Sequence, residues 1–271
     1  MDLKGSVLNV LRALATVLPY GKDLYLKYIQ SRYQISYRGV FENYGQAHAA
    51  IHRTDEYDLI NRAKADKIES GRENLDAWIA DHDYPLLFWM AKVAANHKRL
   101  VELGGSLGHF YYSSRRFTAY PEQFEWLIAE LSEAVELGAR LAAEREDKRL
   151  RFVSSDRLSE IAGTDFFMTA GTIQYMQSDL VEILQSLVHL PVDLIVHELP
   201  VHDSKAFWTL QDLKVCEMPY RVYSKSGLFE SLEKLGYEMV DTWSHARTIQ
   251  IPFHREETVA EYIGFYCRKR S

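Results

Sequence analysis

The chain holds only two cysteines, Cys216 and Cys267, and they form no C-x-x-C pair. That scarcity excludes a disulfide framework, points to a reducing cytoplasm, and leaves no zinc-ligand spacing, so no metal is expected. Long apolar runs are missing too. The longest early stretch, Val7 to Leu18, is interrupted by Asn9, Arg12 and Thr16, is too short to span a bilayer and lacks the apolar core of a signal peptide. Nor is there a surplus of positive charge. The net charge is -6, with 14 basic against 12 acidic side chains in residues 1-99 (net +2) and 18 against 26 in residues 100-271 (net -8). A general nucleic-acid binder would carry a basic face, so no nucleic-acid partner is expected. Repeats, low-complexity tracts and long linkers are also absent.

What is present suits one α/β domain with an appendage: 271 residues, 47% of them hydrophobic. Residues 1-98 read as helices joined by polar turns, over Val7-Leu18, Asp23-Tyr33, Glu56-Ile68, Leu75-Ile79 and Leu86-His97, with no convincing strand alternation. The apolar residues of Val7-Leu18 recur at helical spacing, and the first 40 residues hold six basic and two acidic side chains. That helix can dock on the protein's own core, on a second subunit in a homo-oligomer, or peripherally on anionic lipid at the inner membrane face. From residue 99 the rhythm changes to short apolar runs alternating with helical stretches, the mark of a parallel sheet covered on both faces. The expected strands are Leu100-Leu103, Phe124-Ala129, Leu150-Val153, Phe166-Thr169, Val192-Val196, Tyr237-Asp241 and Tyr262-Cys267. The helices between them are Ser132-Glu146, Asp179-Val188 and Gly227-Leu235. A boundary therefore falls near residue 98, between an N-terminal helical cap, lid or association region (1-98) and a parallel α/β domain (99-271).

The stretch Val101-Glu102-Leu103-Gly104-Gly105-Ser106-Leu107-Gly108 places an acid and three glycines where a strand turns sharply into the next element. Glycine tolerates positive φ and lets a ligand approach the backbone, so such a turn can hold a nucleotide. Glu130 ends the second apolar run 22 residues past Gly108, where a carboxylate can take both ribose hydroxyls. A dinucleotide fingerprint ending on Gly108 would need glycine where Leu103 stands, and pyrophosphate needs the closest backbone approach.

The pattern acid-x-Gly-Gly-Ser-x-Gly resembles motif I of the class I methyltransferases that use S-adenosylmethionine. More of the chain is similar to a bacterial family of such enzymes encoded among cell-surface polysaccharide and O-antigen genes. The matching pieces are Glu102 to Gly108 with Tyr111, Trp126 through Glu130, Gln174-Tyr175, Gln211 and Pro219-Tyr220. The resemblance implies a seven-stranded Rossmann-like class I methyltransferase sheet with an N-terminal helical extension. It also implies S-adenosylmethionine as cofactor and a sugar hydroxyl of a surface polysaccharide or related glycan as acceptor. Two departures stand out: the family shows Asp-Arg-Thr-Pro where this chain has His197-Glu198-Leu199-Pro200, and more often aspartate where Glu102 stands.

In a doubly wound sheet, ligands collect at the carboxyl ends of the strands. The cofactor candidates are therefore Glu102, Gly104, Gly105, Ser106 and Gly108 after the first expected strand, Glu130 after the second, Ser155 and Asp156 after the third, and Thr169, Ala170 and Gly171 at the fourth. Asp156 serves equally well as a helix N-cap. His109, Tyr111, Gln174 and Tyr175 stand where an acceptor would be reached. Methyl transfer to a hydroxyl needs an aligned acceptor and a proton acceptor, and the richest supply is a loop expected after the fifth strand, with His197, Glu198 and His202 as catalytic candidates. This is no zinc-protease motif, because Pro200 breaks the helix that motif requires. A noncatalytic cofactor-binding subunit of a polysaccharide assembly complex, and an N- or carboxyl-methyltransferase of another small molecule, stay open beside the O-methyltransferase reading.

Overall fold

The computed structural model describes residues 10-11, 13-18, 21, 24-25, 36-53, 57-77 and 79-270, with the backbone alone for 57-59. The expected helix Asp23-Tyr33 lies outside these residues apart from Leu24 and Tyr25. Of Val7-Leu18 the described part is helical, and Val10, Leu14, Val17 and Leu18 are each more than half exposed. No helix among the described residues is long and apolar enough to cross a membrane.

Among the described residues ten strands form the sheet: β1 (Ser36–Phe41), β2 (Arg99–Leu103), β3 (Glu125–Glu130), β4 (Leu150–Ser154), β5 (Phe166–Ala170), β6 (Asp193–His202), β7 (Phe207–Asp212), β8 (Glu217–Ser224), β9 (Tyr237–Ile251) and β10 (His254–Lys269). Strands β4-β3-β2-β5-β6 run parallel in that order, and β10 pairs antiparallel with both β6 and β9. All seven expected strands lie in this path. Alternation along them feeds two cores, as the period of two requires. Val101, Leu103, Phe167, Leu194 and Val196 join one, while Leu100, Phe166, Met168 and Ile195 join the other.

Helices cover both faces. On the first face lie α6 (Leu180–Ser186) and α7 (Lys225–Lys234), which bury Leu180, Ile183, Leu184, Leu228 and Leu232. The second face is covered by α3 (Tyr84–Ala94) and α4 (His109–Ser114), whose Leu86, Met90 and Phe110 pack with Trp126. Further helices among the described residues are α1 (Tyr44–Ala49), α2 (Tyr57–Glu69) and α5 (Ser132–Glu144).

The other three strands were not expected. Strands β1-β7-β8 form an antiparallel ribbon that joins β6 only at its carboxyl end, through Val201↔Tyr223 and His202↔Ser224. In β7 every residue is buried, including Thr209, Gln211 and Asp212, so no polar face marks it as a strand. Tertiary partners satisfy those groups: Gln211 Oε1 accepts from Tyr175 Oη, its Nε2 donates to Tyr37 Oη, and Thr209 donates to the Arg38 carbonyl. Strand β1 lies in the segment read as helices joined by polar turns, between the expected helices Asp23-Tyr33 and Glu56-Ile68. It is held by a bidentate pair in which Arg38 Nε and Nη2 donate to the Glu217 carboxylate at 2.9 and 2.8 Å. Strand β6 also runs to His202, so the loop expected over His197 to Asp203 is largely strand, bulged where Phe265 pairs with Val196 and Ile263 with Leu199.

Candidate active site

The strand order reverses between β2 and β5: from β2 the chain builds outward through β3 and β4, and from β5 through β6. Ligand clefts open at the carboxyl ends of strands on either side of such a switch. A cavity of about 750 Å³ lies there, and its lining includes Glu102, Gly104, Gly105, Ser106, Glu130, Ala170, Gly171, Asp83, His197 and Glu198.

The turn after β2 forms one wall. Gly104 has φ +83°, and a Cβ there would fall 2.0 Å from Thr172 Oγ1, so side chain and backbone geometry both demand glycine. Thr172 Oγ1 donates to the Gly104 carbonyl at 3.1 Å, which ties the β2 and β5 turns together. At Gly105 a Cβ would meet Glu102 Oε2 at 2.6 Å, so the bare backbone leaves room for that carboxylate. Glu102 is buried, and its Oε2 accepts the Trp126 indole N–H at 2.7 Å. Burial raises its pKa to about 7, opposed by the indole hydrogen bond and reinforced by the charge of Glu130. Glu130 accepts from the Ser106 and Leu131 backbone N–H at 3.2 and 2.7 Å. Burial raises its pKa as well, offset in part by those two donors and by Lys64. Lys64 reaches in from α2 to donate to Ser106 Oγ at 3.4 Å, and burial lowers its pKa.

The opposite wall is built around His197, which is buried. Its Nδ1 accepts the Trp243 indole N–H at 2.9 Å. An indole can only donate, so the imidazole proton sits on Nε2 and points to Asp83 Oδ1 at 3.0 Å. Both nitrogens are committed. Asp83 also accepts from the Ala80 N–H at 2.7 Å. Burial raises its pKa, but the His197 and Ala80 hydrogen bonds outweigh it and hold the carboxyl below its usual range. Beside it, Glu198 has φ +56°, a strained value for a side-chain-bearing residue, and its Oε2 accepts from Arg247 Nη1 at 2.6 Å.

Several expected site residues lie elsewhere. Asp156 is exposed and outside the cavity lining, and Ser154 rather than Asp156 caps the turn at Ser155–Glu160; Ser155 does line the cavity. Thr169 is buried within β5, and Gly108, at φ +91°, shapes the entry to α4 from behind. Tyr111 is turned into the second core, where its hydroxyl donates to the Asp147 carboxylate at 2.8 Å. His202 sits at the far end of β6, its Nε2 donating to the Glu256 carbonyl at 2.9 Å. In each case neighbouring residues in sequence diverge because a strand or turn sends them to opposite sides. His109, Gln174 and Tyr175 do line the cavity, and burial drives the His109 pKa down to about 3, helped by Lys64, so its ring is neutral. The sequence reading missed Lys64, Asp83 and Arg247. Single charges in a helix, a turn and a long strand carry no local signal, and only packing brings them to the cavity.

No protein-family model matches the chain, and no curated protein is detectably similar in sequence. Among solved structures, the chain is similar to the 1,6-didemethyltoxoflavin-N1-methyltransferase of Burkholderia thailandensis, with 18% identity, 82% of this chain and 95% of that one covered, and TM-score 0.45. An S-adenosylmethionine-dependent methyltransferase from Clostridium acetobutylicum aligns at 12% identity over 80% and 100% of the two chains, TM-score 0.49. The glycopeptide N-methyltransferase MtfA aligns at 13% over 71% and 96%, TM-score 0.48. The fold itself, read from strand order and direction, is the Rossmann-like fold of class I methyltransferases with a three-stranded ribbon added.

Proposed function

We propose that the chain is an S-adenosylmethionine-dependent methyltransferase whose acceptor is a hydroxyl of a sugar in a surface polysaccharide or related glycan. The observation that carries this reading is Glu102: a buried carboxylate at the glycine turn whose hydrogen bond comes from an indole and against which no cationic side chain lies among the described residues. With Glu73, Asp83, Glu130 and Glu198 also lining the cavity, against Lys64 and an Arg247 already tied to Glu198, the site favours a cationic ligand and disfavours a pyrophosphate. Glu102 would balance the cofactor's ammonium, Glu130 would take its ribose hydroxyls, and Gly104 and Gly105 would admit it against the backbone. When bound, the cofactor supplies a methyl group on a positively charged sulfur. Asp83 accepts the acceptor's proton, and His197 holds and aims Asp83 rather than acting as the base itself, because neither of its nitrogens is free. Asp83, Leu86 and Lys64 come from residues 1-98, which supports that region as an acceptor-binding cap. The glycan class rests on the sequence resemblance alone.

Calorimetry with S-adenosylhomocysteine and with NAD tests the cofactor, the expected result being binding of the first only. Binding of NAD alone would overturn the reading. A screen of candidate glycans for methyl transfer tests the acceptor.

A further inference from the structure

At the opposite end of the sheet from the cavity lies a second concavity, an open groove of about 750 Å³. Its walls are Arg115 and Arg116, which follow α4, the segment from Arg145 at the end of α5 to Arg149 just before β4, and the turn that holds Asp76. Strand β4 starts at Leu150 beside the groove and ends at Ser154, next to the cavity-lining Ser155. Its length of about 17 Å keeps the two sites apart. Five basic side chains line the groove against three acidic ones, in a chain whose net charge is -6. Two of the five have ordinary structural roles. Arg115 closes α4 and Arg145 closes α5, where a cation suits the helix end, and each meets a carboxylate: Arg115 Nη1 lies 2.5 Å from Asp147 Oδ2, and Arg145 Nη1 3.4 Å from Asp76 Oδ1. The other three do not. Arg116 Nη1 donates to the Asp76 carbonyl at 3.1 Å, and no carboxylate oxygen lies within 4.0 Å of the Arg116, Lys148 or Arg149 cation among the described residues.

Tyr112 supplies an independent observation. It lines the groove and is 2% exposed, yet its hydroxyl is buried without a hydrogen-bond partner among the described residues. Burial and the charge of Asp147 push its pKa up to about 12, against Arg145 and Arg115, so it remains a donor. The charges that act on it, those of Asp147, Arg145, Arg115 and Asp76, all belong to groove residues, so the hydroxyl faces the groove. Asp147 is already taken, since it accepts from Tyr111 Oη at 2.8 Å, Arg115 Nη1 at 2.5 Å and the Arg149 N–H at 3.0 Å. A buried donor left unpaired costs free energy, and a partner from outside the chain would remove that cost.

We propose that this groove binds the diphosphate group of a small molecule, held by Arg116, Arg145, Lys148 and Arg149 and by the hydroxyl of Tyr112. Phosphate oxygens take donors from several directions at once, which guanidinium forks, an ammonium and a phenol together supply. A single phosphate carries only about −1.5 to −2 at neutral pH, too little for three cations that lack a carboxylate, and a second phosphate makes up the difference. The groove has the size of a small-molecule site, and the net negative charge of the chain works against a long polyanion. Arg145 is placed to respond to the ligand. Its guanidinium lies 4.4 Å over the Tyr112 ring, and its contact with Asp76 is long, so it can turn to a closer phosphate oxygen and bring the hydroxyl within reach. The site does not depend on the methyl-transfer reading.

The test is calorimetric titration of the full-length protein with inorganic pyrophosphate in metal-free buffer, with malonate as a carboxylate control. The expected result is one pyrophosphate per chain, bound more tightly than malonate and with the same affinity whether or not S-adenosylhomocysteine is present. The double variant Lys148→Gln, Arg149→Gln, which changes only side chains without a partner, should bind at least about tenfold more weakly. Tyr112→Phe keeps the ring, so its melting temperature without ligand should be unchanged or higher, while pyrophosphate affinity falls about three- to tenfold. Folded wild-type protein that takes up no pyrophosphate at millimolar concentration, malonate bound equally well, or affinity unchanged in the double variant or in Tyr112→Phe overturns the proposal. Displacement of pyrophosphate by S-adenosylhomocysteine would place the ion in the cavity instead and overturn it too. Pyrophosphate binding without S-adenosylhomocysteine binding would leave the groove site standing and sink the methyltransferase reading, and the reverse result would do the opposite.

Discussion

The pKa of Glu102, raised to about 7 by burial, makes cofactor affinity depend on pH in a calculable way. Before a ligand binds, the folded protein keeps a proton on Glu102 that the unfolded chain, with its pKa near 4.5, releases. Below that pH both states are protonated and nothing is lost. As pH rises from there to about 7 the folded state is progressively disfavoured, by about 3 kcal/mol at most on 1.36 kcal/mol per pKa unit, and above 7 the cost is constant. A cationic ligand reverses this by favouring the carboxylate, so binding releases a proton throughout that window. Affinity for S-adenosylmethionine should therefore rise by up to about tenfold per pH unit from pH 5 to 7, about a hundredfold in all, and then level off. Calorimetry in buffers of different ionisation enthalpy counts the released proton directly. Glu102→Gln, which cannot ionise, should bind more weakly at pH 8, lose most of the pH dependence and make the empty protein more stable at that pH. The same series on Glu130→Gln separates the two coupled carboxylates. A flat affinity and no proton release in the unmutated protein, or an unchanged slope in Glu102→Gln, would refute the reasoning.

Glu130→Ala should weaken S-adenosylhomocysteine binding by about 1.5–3 kcal/mol for each ribose hydrogen bond lost, measured by calorimetry on folded protein, and unchanged affinity would remove the ribose assignment. Asp83→Asn should leave that affinity nearly intact while slowing methyl transfer by about 10²–10⁴-fold, whereas His197→Gln should cost less because it disturbs only the aim of Asp83; the opposite ranking in single-turnover rates would restore His197 as the base. Glu217 carries a stability prediction: burial raises its pKa, but hydrogen bonds from Arg38 and the His52 N–H, with the charges of Arg38 and Arg53, pull it down to about 2. Its contribution is thus complete above the ordinary value of 4.5 and lost as pH falls through about 2, and Glu217→Gln should cost about 1–3 kcal/mol in urea melts at pH 7 and much less at pH 2.5. Equal losses at both pH values would show that packing, not charge, holds the ribbon.

The sequence by itself determined the parallel core and the glycine-turn end of the cavity. Strands β2, β5 and the first half of β6 are apolar runs buried on two faces, while β3 and β4 are only partly buried; the pattern is written in consecutive residues, and the acid, the glycines and Glu130 follow directly from where those runs stop. Strands β9 and β10 were legible only in their apolar parts, because Thr242 to Gln250 is mostly exposed or half-buried and continues as strand through pairing with β10. Strand β7 was hidden, since its buried Thr209, Gln211 and Asp212 are tolerable only where Tyr37, Tyr175, Arg38 and Arg53 meet them. The His197 end of the cavity belongs to tertiary structure for the same reason. His197 looked like a free loop base until Trp243 and Asp83, 46 and 114 positions away, were found on its two nitrogens. Asp76, Tyr112, Arg145 and Arg149 have no spacing in common, and become one groove only because a turn before α3, the helix α4 and the segment between α5 and β4 are packed against one another. Periodicity records which face of an element is buried, whereas the partner a polar side chain finds there depends on contacts between segments that the order of residues does not encode locally.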